Sequence, residues 1–385
     1  MKTKFLFSLP LLSSLAIGGP AGAKEPFPTH LPSDPQDKVQ IALLLDTSNS
    51  MDGLIDQAKT QLWKVVNSFN DAKRDGRVPF VEVALYEYGN NRLHIGNNWI
   101  RQVEPLTRDL DEISRELFAF RTNGGDEYCG AVIQRALSDL SWDPSPRTYK
   151  AVFIAGNEPF TQGPVDARQA CRDAMAKGIV VNTIHCGNRE EGIAGAWHDG
   201  AALAEGKFLS INQDKAVVHI DAPQDKQIAT LGIDLNKTYL GYGEHAREGM
   251  AKQVSEDNNA TANAGAGSAQ QRAVSKASTN YCNTAWDLVD ACRDGTVKLA
   301  EVPVAQLPEA MKTMTPEQRE AHVKKMTEMR AGLQQKIMLL NREREAFVAA
   351  ELKKQAQASG EQTLDQVLVE TVRGQAATRG YRFGE

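Results

Sequence analysis

The run Asp46-Thr47-Ser48-Asn49-Ser50 sets one carboxylate and two hydroxyls at alternate positions. Hard oxygen donors spaced in this way around a turn can converge on one small divalent cation, leaving its other positions to water or to a partner's oxygen. The preceding residues, Val39 to Leu45, are mostly apolar and read as a strand buried on both faces. The triplet therefore falls at the carboxyl end of a strand, where open α/β sheets collect their ligands. A plainer use of the same residues stays open: Asp46 caps the next helix while Ser48 and Ser50 satisfy backbone groups of a turn.

The elements needed to hold such a turn are legible along the chain. Strands are expected at Val81 to Tyr88, Trp99 to Val103, Tyr149 to Ala155, Ile179 to His185 and Lys207 to Ile211. Helical spacing of apolar residues marks Gly53 to Phe69, Arg108 to Phe120, Glu127 to Trp142, Val165 to Ala176 and Gly195 to Ala204. Strands separated by helix-length segments predict an α/β fold with a Rossmann-like, doubly wound and mainly parallel sheet.

On these residues the chain resembles the von Willebrand factor type A family, whose metal-ion-dependent adhesion site uses an Asp-x-Ser-x-Ser motif after the first strand. The likeness spans about Val39 to Ile211. It implies a domain that binds Mg²⁺, or Mn²⁺ or Ca²⁺, through Asp46, Ser48 and Ser50, and that uses the ion to hold an acidic side chain of a protein partner. The family's second loop normally supplies a threonine near paired glycines; here Thr122 lies upstream of Gly124-Gly125 and Asp126 follows them. Its third loop normally supplies an aspartate, but this chain reads Ala155-Gly156-Asn157-Glu158 there. Asp126, Thr122 and Glu158 are thus the expected further metal ligands. Direct ligation by protein carboxylates would raise metal affinity and weaken the pull on a partner's carboxylate. Asn157, Phe160 and Gln162, on the loop that follows, are the expected partner contacts.

Other chemistries find less support. Leu43 to Ser48 also has the form of an aspartic protease turn, but the second turn needed to share a proton is missing. Nucleophile-elbow, H-E-x-x-H and P-loop motifs are absent too, so no catalytic role is expected. A zinc site built from His185, Cys186, His198 and Cys129 matches no short metal motif.

Lys2, Lys4, an apolar stretch to Ile17 and Ala21-Gly22-Ala23 have the order of a signal peptide over residues 1–23, placing the protein in the periplasm or outside the cell. Its loss removes two lysines and no acid, taking the formal charge from -5 to -7. That acidity argues against nucleic acid as a partner, and no later segment is apolar and long enough to span a membrane. An exported chain permits disulfides, and Cys171 with Cys186 is the expected pair.

The expected order is then an extension over 24–37, the type A domain with a trailing helix over 38–250, a polar Ala/Gly/Ser/Asn-rich linker over 251–280 and a mostly α-helical C-terminal region over 281–385. Thr315-Pro316-Glu317 opens a long helix to about 357. Met326, Leu333, Leu340 and Phe347 recur on it every seven residues, with Arg330 and Arg344 interrupting the seam. Packing within the chain is favoured over a coiled coil for that reason. Two functions follow as expectations: a metal-assisted protein-binding or adhesion module, or an envelope scaffold that self-associates through the long helix without a functional metal site.

Overall fold

The structure, a computed structural model, describes residues 37–211, 220–262, 268–359 and 364–384. The expected signal peptide lies outside the described residues, as does nearly all of the extension.

Six strands form the sheet: β1 (Lys38–Asp46), β2 (Phe80–Tyr88), β3 (Ile100–Thr107), β4 (Tyr149–Gly156), β5 (Val180–Cys186) and β6 (Phe208–Ile211). Their spatial order is β3-β2-β1-β4-β5-β6, parallel throughout except for β3, which pairs antiparallel with β2 at the edge. Side chains alternate across a strand, so β1 feeds two cores. Val39, Ile41, Leu43 and Leu45 face one layer, and Ala42 and Leu44 the other, all 0% exposed. The first layer contains α1 (Ile55–Asn67) and α2 (Leu110–Ala119). The second contains α3 (Cys129–Asp139), α4 (Ala167–Ala176) and, after the short α5 (Arg189–Ala194), α6 (Trp197–Leu203). The sandwich predicted from periodicity is the one that forms.

The segment expected as a polar linker is helical instead. After α7 (Asp225–Asn236) come α8 (Ala246–Ala262) and α9 (Ser268–Ala277). Alanine-rich sequence favours helix even without an apolar stripe, and buried charge does the packing that apolar residues usually do. Arg272 of α9 pairs with Asp111 of α2 and, at 2.9 Å, with Asp257 of α8. Lys276 meets Asp257 at 2.5 Å, and the Tyr281 hydroxyl donates to Asp111 at 2.6 Å. These groups are almost fully buried yet mutually satisfied, which is the condition under which buried charge is tolerated.

Next come α10 (Leu288–Arg293) and the long α11 (Pro316–Ser359). The seam of α11 is filled by its own chain. Ile337 is fully buried among Ile228, Leu235, Ala273 and Val274, with Leu333 and Leu340 alongside. The interrupting arginines are what fix it. Arg330 donates to Asp287 at 2.7 Å, to Asp290 at 2.9 Å and to the Thr238 carbonyl at 2.7 Å, and Arg344 meets Asp225 at 2.6 Å.

The final helix, α12 (Leu364–Ala377), returns to the sheet. Leu368, Val372 and Ala376 are fully buried in the same core as α1, and Tyr381 packs beside them. Gln375 exchanges hydrogen bonds with Asn182 at 2.8 and 3.1 Å and accepts from the Tyr149 hydroxyl at 2.8 Å. The helices between β6 and α12 are therefore an excursion from the α/β unit, and residues 364–384 belong to the sandwich and not to a separate helical region.

The cysteines are all free. Cys171 lies in the core on one side of the sheet and Cys186 in the core on the other, so the sheet itself keeps the expected pair apart.

Removing Arg330 strands Asp287, which is 0% exposed. Arg330→Ala is expected to lower the unfolding free energy by about 3–5 kcal/mol, the cost of leaving a buried charge unpaired. Urea denaturation followed by circular dichroism measures it; a loss under about 1 kcal/mol would show that the network is not held by this charge.

Candidate functional site

Strand order reverses between β1 and β4, the topological switch point at which a doubly wound sheet leaves a crevice beyond its strand ends. Asp46 ends β1 and Gly156 ends β4, so the triplet opens directly into that crevice.

Asp46 is 0% exposed. Its Oδ1 accepts from the Ser48 backbone N–H at 2.8 Å, while Oδ2 is buried with no hydrogen-bond partner. The Ser48 and Ser50 hydroxyls lie 2.8 Å apart, and Ser50 donates to Asn157 Oδ1 at 3.0 Å, joining the first loop to the loop after β4. Thr47 points inward and donates to Glu87 Oε1 at 2.9 Å, and Asn90 donates to Thr47 and Glu87. Arg101 clamps Glu87 at 2.7 Å. This underlayer fixes the backbone on which the ligands stand.

Glycines bring the loops together. A Cβ on Gly125 would lie 2.3 Å from the Gly89 carbonyl, so the second loop can press against the end of β2 only without a side chain there. At Gly156 a Cβ would stand 2.5 Å from the Tyr88 hydroxyl and 3.1 Å from Asp46 Cβ. That crowding disfavours a side chain at this position, and the next residue, Asn157, reaches Ser50 instead.

The structure redistributes the other expected ligands. Asp126 is exposed and accepts from the Tyr128 hydroxyl at 3.3 Å. Thr122 donates to Asp52, just beyond the first loop. Glu158 lies close enough for its charge to help push the Glu127 carboxyl above its ordinary value, and its carbonyl accepts from the Trp197 indole at 2.8 Å. Of the expected partner contacts, Phe160 is 0% exposed and packs on Trp197 with ring centroids 5.1 Å apart, so it supports the loop and is not available to a partner. The Gln162 side-chain oxygen is buried without a hydrogen bond, and Asn157 is occupied by Ser50. His185 is buried against Trp197 with both ring nitrogens unpartnered, and His198 is exposed. Among the described residues no group of three or more His, Cys, Asp or Glu is clustered for a metal; any ion here would rely on the serine hydroxyls.

The residue missed by sequence reasoning is Glu127. It is 6% exposed, beside Asp46, while its neighbour Asp126 faces solvent. The one sequence signal is the glycine pair two residues earlier, which lets the chain turn inward at 127. Burial, reinforced by the Glu127 charge and opposed by bonds from Ser48, pushes the Asp46 carboxyl up to about 8. Burial likewise pushes Glu127 up to about 7, with Glu158 and Asp126 adding to it and Ser48 opposing. Two crowded carboxyls, one of them with an orphaned oxygen, and two hydroxyls form a donor set that fits a hard divalent cation.

Six strands in this order, with Asp-x-Ser-x-Ser at the end of the central first strand, give residues 38–211 the doubly wound, mainly parallel α/β fold that the family resemblance implies. No family model matches the chain, and no curated protein matches it. Among solved structures it is similar to the SpRpn10 VWA domain, at 16% identity and a TM-score of 0.36, covering 47% of this chain and 91% of that one. It is also similar to BatB, a conserved hypothetical protein from Bacteroides thetaiotaomicron, at 18% identity and a TM-score of 0.33 over 45% of this chain and 90% of that one. A third is proximal thread matrix protein 1 from the mussel byssus with a zinc-occupied MIDAS motif, at 14% identity and a TM-score of 0.35. The chain spans 43% of that protein's length.

The raised carboxyls set a pH dependence. Between the ordinary carboxylate value near 4 and about 8, folded Asp46 keeps a proton that the unfolded chain has released. In metal-free buffer its contribution to stability is complete below pH 4 and is lost as the pH rises through 8, and Glu127 acts in the same direction up to about 7. Melting temperatures of Asp46→Asn, measured with chelator present, are expected to fall less between pH 5 and 8 than those of the unmodified chain. Parallel curves would place the pH dependence elsewhere.

Proposed function

We propose that this protein is an exported, cation-dependent protein-binding module. Asp46, Ser48 and Ser50 hold a hard divalent cation, Mg²⁺ or its Mn²⁺ or Ca²⁺ equivalent, over the crevice between β1 and β4. A carboxylate of the partner, an Asp or Glu side chain, takes an open coordination position. The observation that carries this reading is Asp46 itself: a carboxylate with one oxygen fully buried and unpartnered, at the switch point, beside two hydroxyls. A buried anion of this kind costs several kcal/mol without a compensating charge, and a dication supplies it. A helix cap does not account for the arrangement, because the short turn at Asn49–Met51 and α1 carry no side-chain cap bond from Asp46.

The reading is of binding and not of catalysis, because holding an ion accounts for the titratable groups at the crevice. Export follows from the order of residues 1–23, and no described helix is long and apolar enough to cross a membrane.

The test is a melting series with Mg²⁺, Mn²⁺ or Ca²⁺ on the unmodified chain, Asp46→Ala and Ser48→Ala. At a hundredfold excess over Kd, binding stabilises by about 2.7 kcal/mol, a rise of several degrees that both variants are expected to lose. Equal shifts in all three proteins would remove the assigned ligands.

A further inference from the structure

We infer that Glu127 is the second protein carboxylate of this cation site, an assignment that rests on the reading above and departs from the ligands implied by the family resemblance. The argument is geometric. A methyl placed on Gly89 would touch Asp46 Oδ1 at 2.7 Å and Glu127 Cγ at 2.9 Å, so both acidic side chains flank one spot at the end of β2. The Ser48 hydroxyl neighbours both acidic side chains and lies 2.8 Å from the Ser50 hydroxyl. The other Asp46 oxygen, Oδ2, is buried and without a partner.

The surrounding backbone holds Glu127 there. Gly125 presses on the Gly89 carbonyl, Asn91 donates from its backbone to the Gly124 carbonyl, and Asn123 donates to the Thr47 carbonyl at 2.9 Å. Cys129 and Gly130 then start α3, where a Cβ on Gly130 would lie 2.4 Å from the Val165 carbonyl. With both ends pinned, Asp126 is turned out and Glu127 in.

Two carboxylates and two hydroxyls are all hard oxygen donors, and together they balance the charge of a dication. The site then selects ions such as Mg²⁺, Mn²⁺ or Ca²⁺ over softer ones. A partner's carboxylate meets a cation that is already neutralised, so it adds less electrostatic attraction than at a site with one protein carboxylate.

Calorimetric titration of the full chain with Mn²⁺ at pH 8.5, checked by Tb³⁺ luminescence excited through the neighbouring Trp197, tests the assignment. Glu127→Gln is expected to weaken Mn²⁺ at least about tenfold, the scale at which ligand charge sets affinity in oxygen sites, and Asp126→Asn to change it less than about twofold. Glu127→Asp keeps the charge but withdraws it by one methylene; an intermediate loss is expected there, and this variant carries the test if the glutamine variant fails to fold by circular dichroism. Unchanged Mn²⁺ affinity in both Glu127 variants, with binding still abolished by Asp46→Ala, overturns this assignment and leaves the cation site standing. Absence of Mn²⁺ binding in the unmodified chain overturns both.

Discussion

A carboxylate at the end of a fully buried strand governs the chemistry of this protein. β1 has neighbours on both edges and cores on both faces, so its last residue emerges where backbone partners run out and solvent has not yet begun. Asp46 meets that boundary with one oxygen satisfied and the other not. The rest of the crevice is arranged around this imbalance: serines that offer hydroxyls, loops cleared of side chains by Gly125 and Gly156, and an underlayer of Thr47, Glu87, Asn90 and Arg101 that stops the loop from relaxing. At Gly156, where the third-loop aspartate is expected, Tyr88, Asp46 and Trp197 crowd the space that a side chain would take.

The sheet was the readable part. Alternation and continuous apolar runs located all six strands to within two residues at their starts, because burial on two faces leaves a strong compositional trace. Asp46, Ser48 and Ser50 were readable for the same reason, as their spacing and their place at a strand end reinforce each other. Glu127 was not, since adjacent acidic residues are equivalent in sequence and only loop closure decides which one turns inward. Phe160 illustrates the opposite failure: an aromatic on a long loop looks available until Trp197 is seen to cover it.

The helical segments were harder for a different reason. α8 lacks an apolar stripe, α9 offers only Ala273, Val274 and Ala277, and Arg272, Lys276, Asp257, Asp111 and Tyr281 tie them to α2 and to each other. Periodicity analysis counts such residues as solvated surface, whereas here they form the interior. The same logic applies to Arg330, which breaks a heptad seam in sequence and secures it in the structure. Buried ion networks add directionality that apolar contacts lack, and this excursion from the α/β unit uses several of them.

The return of the last helix to the first strand also shapes how the molecule is made. Tyr381 donates to the carbonyl of Lys38 across 343 residues, and Lys73 bridges Arg382 next to it. The layer containing α1 stays open on one side until residues 364–384 are available to cover it. Phe69, which packs on Phe383 with ring centroids 6.0 Å apart, therefore waits partly uncovered through the synthesis of everything between. A core closed over so long a loop forms late and slowly, so the interval before closure is when this protein is most exposed to misassociation and to proteolysis.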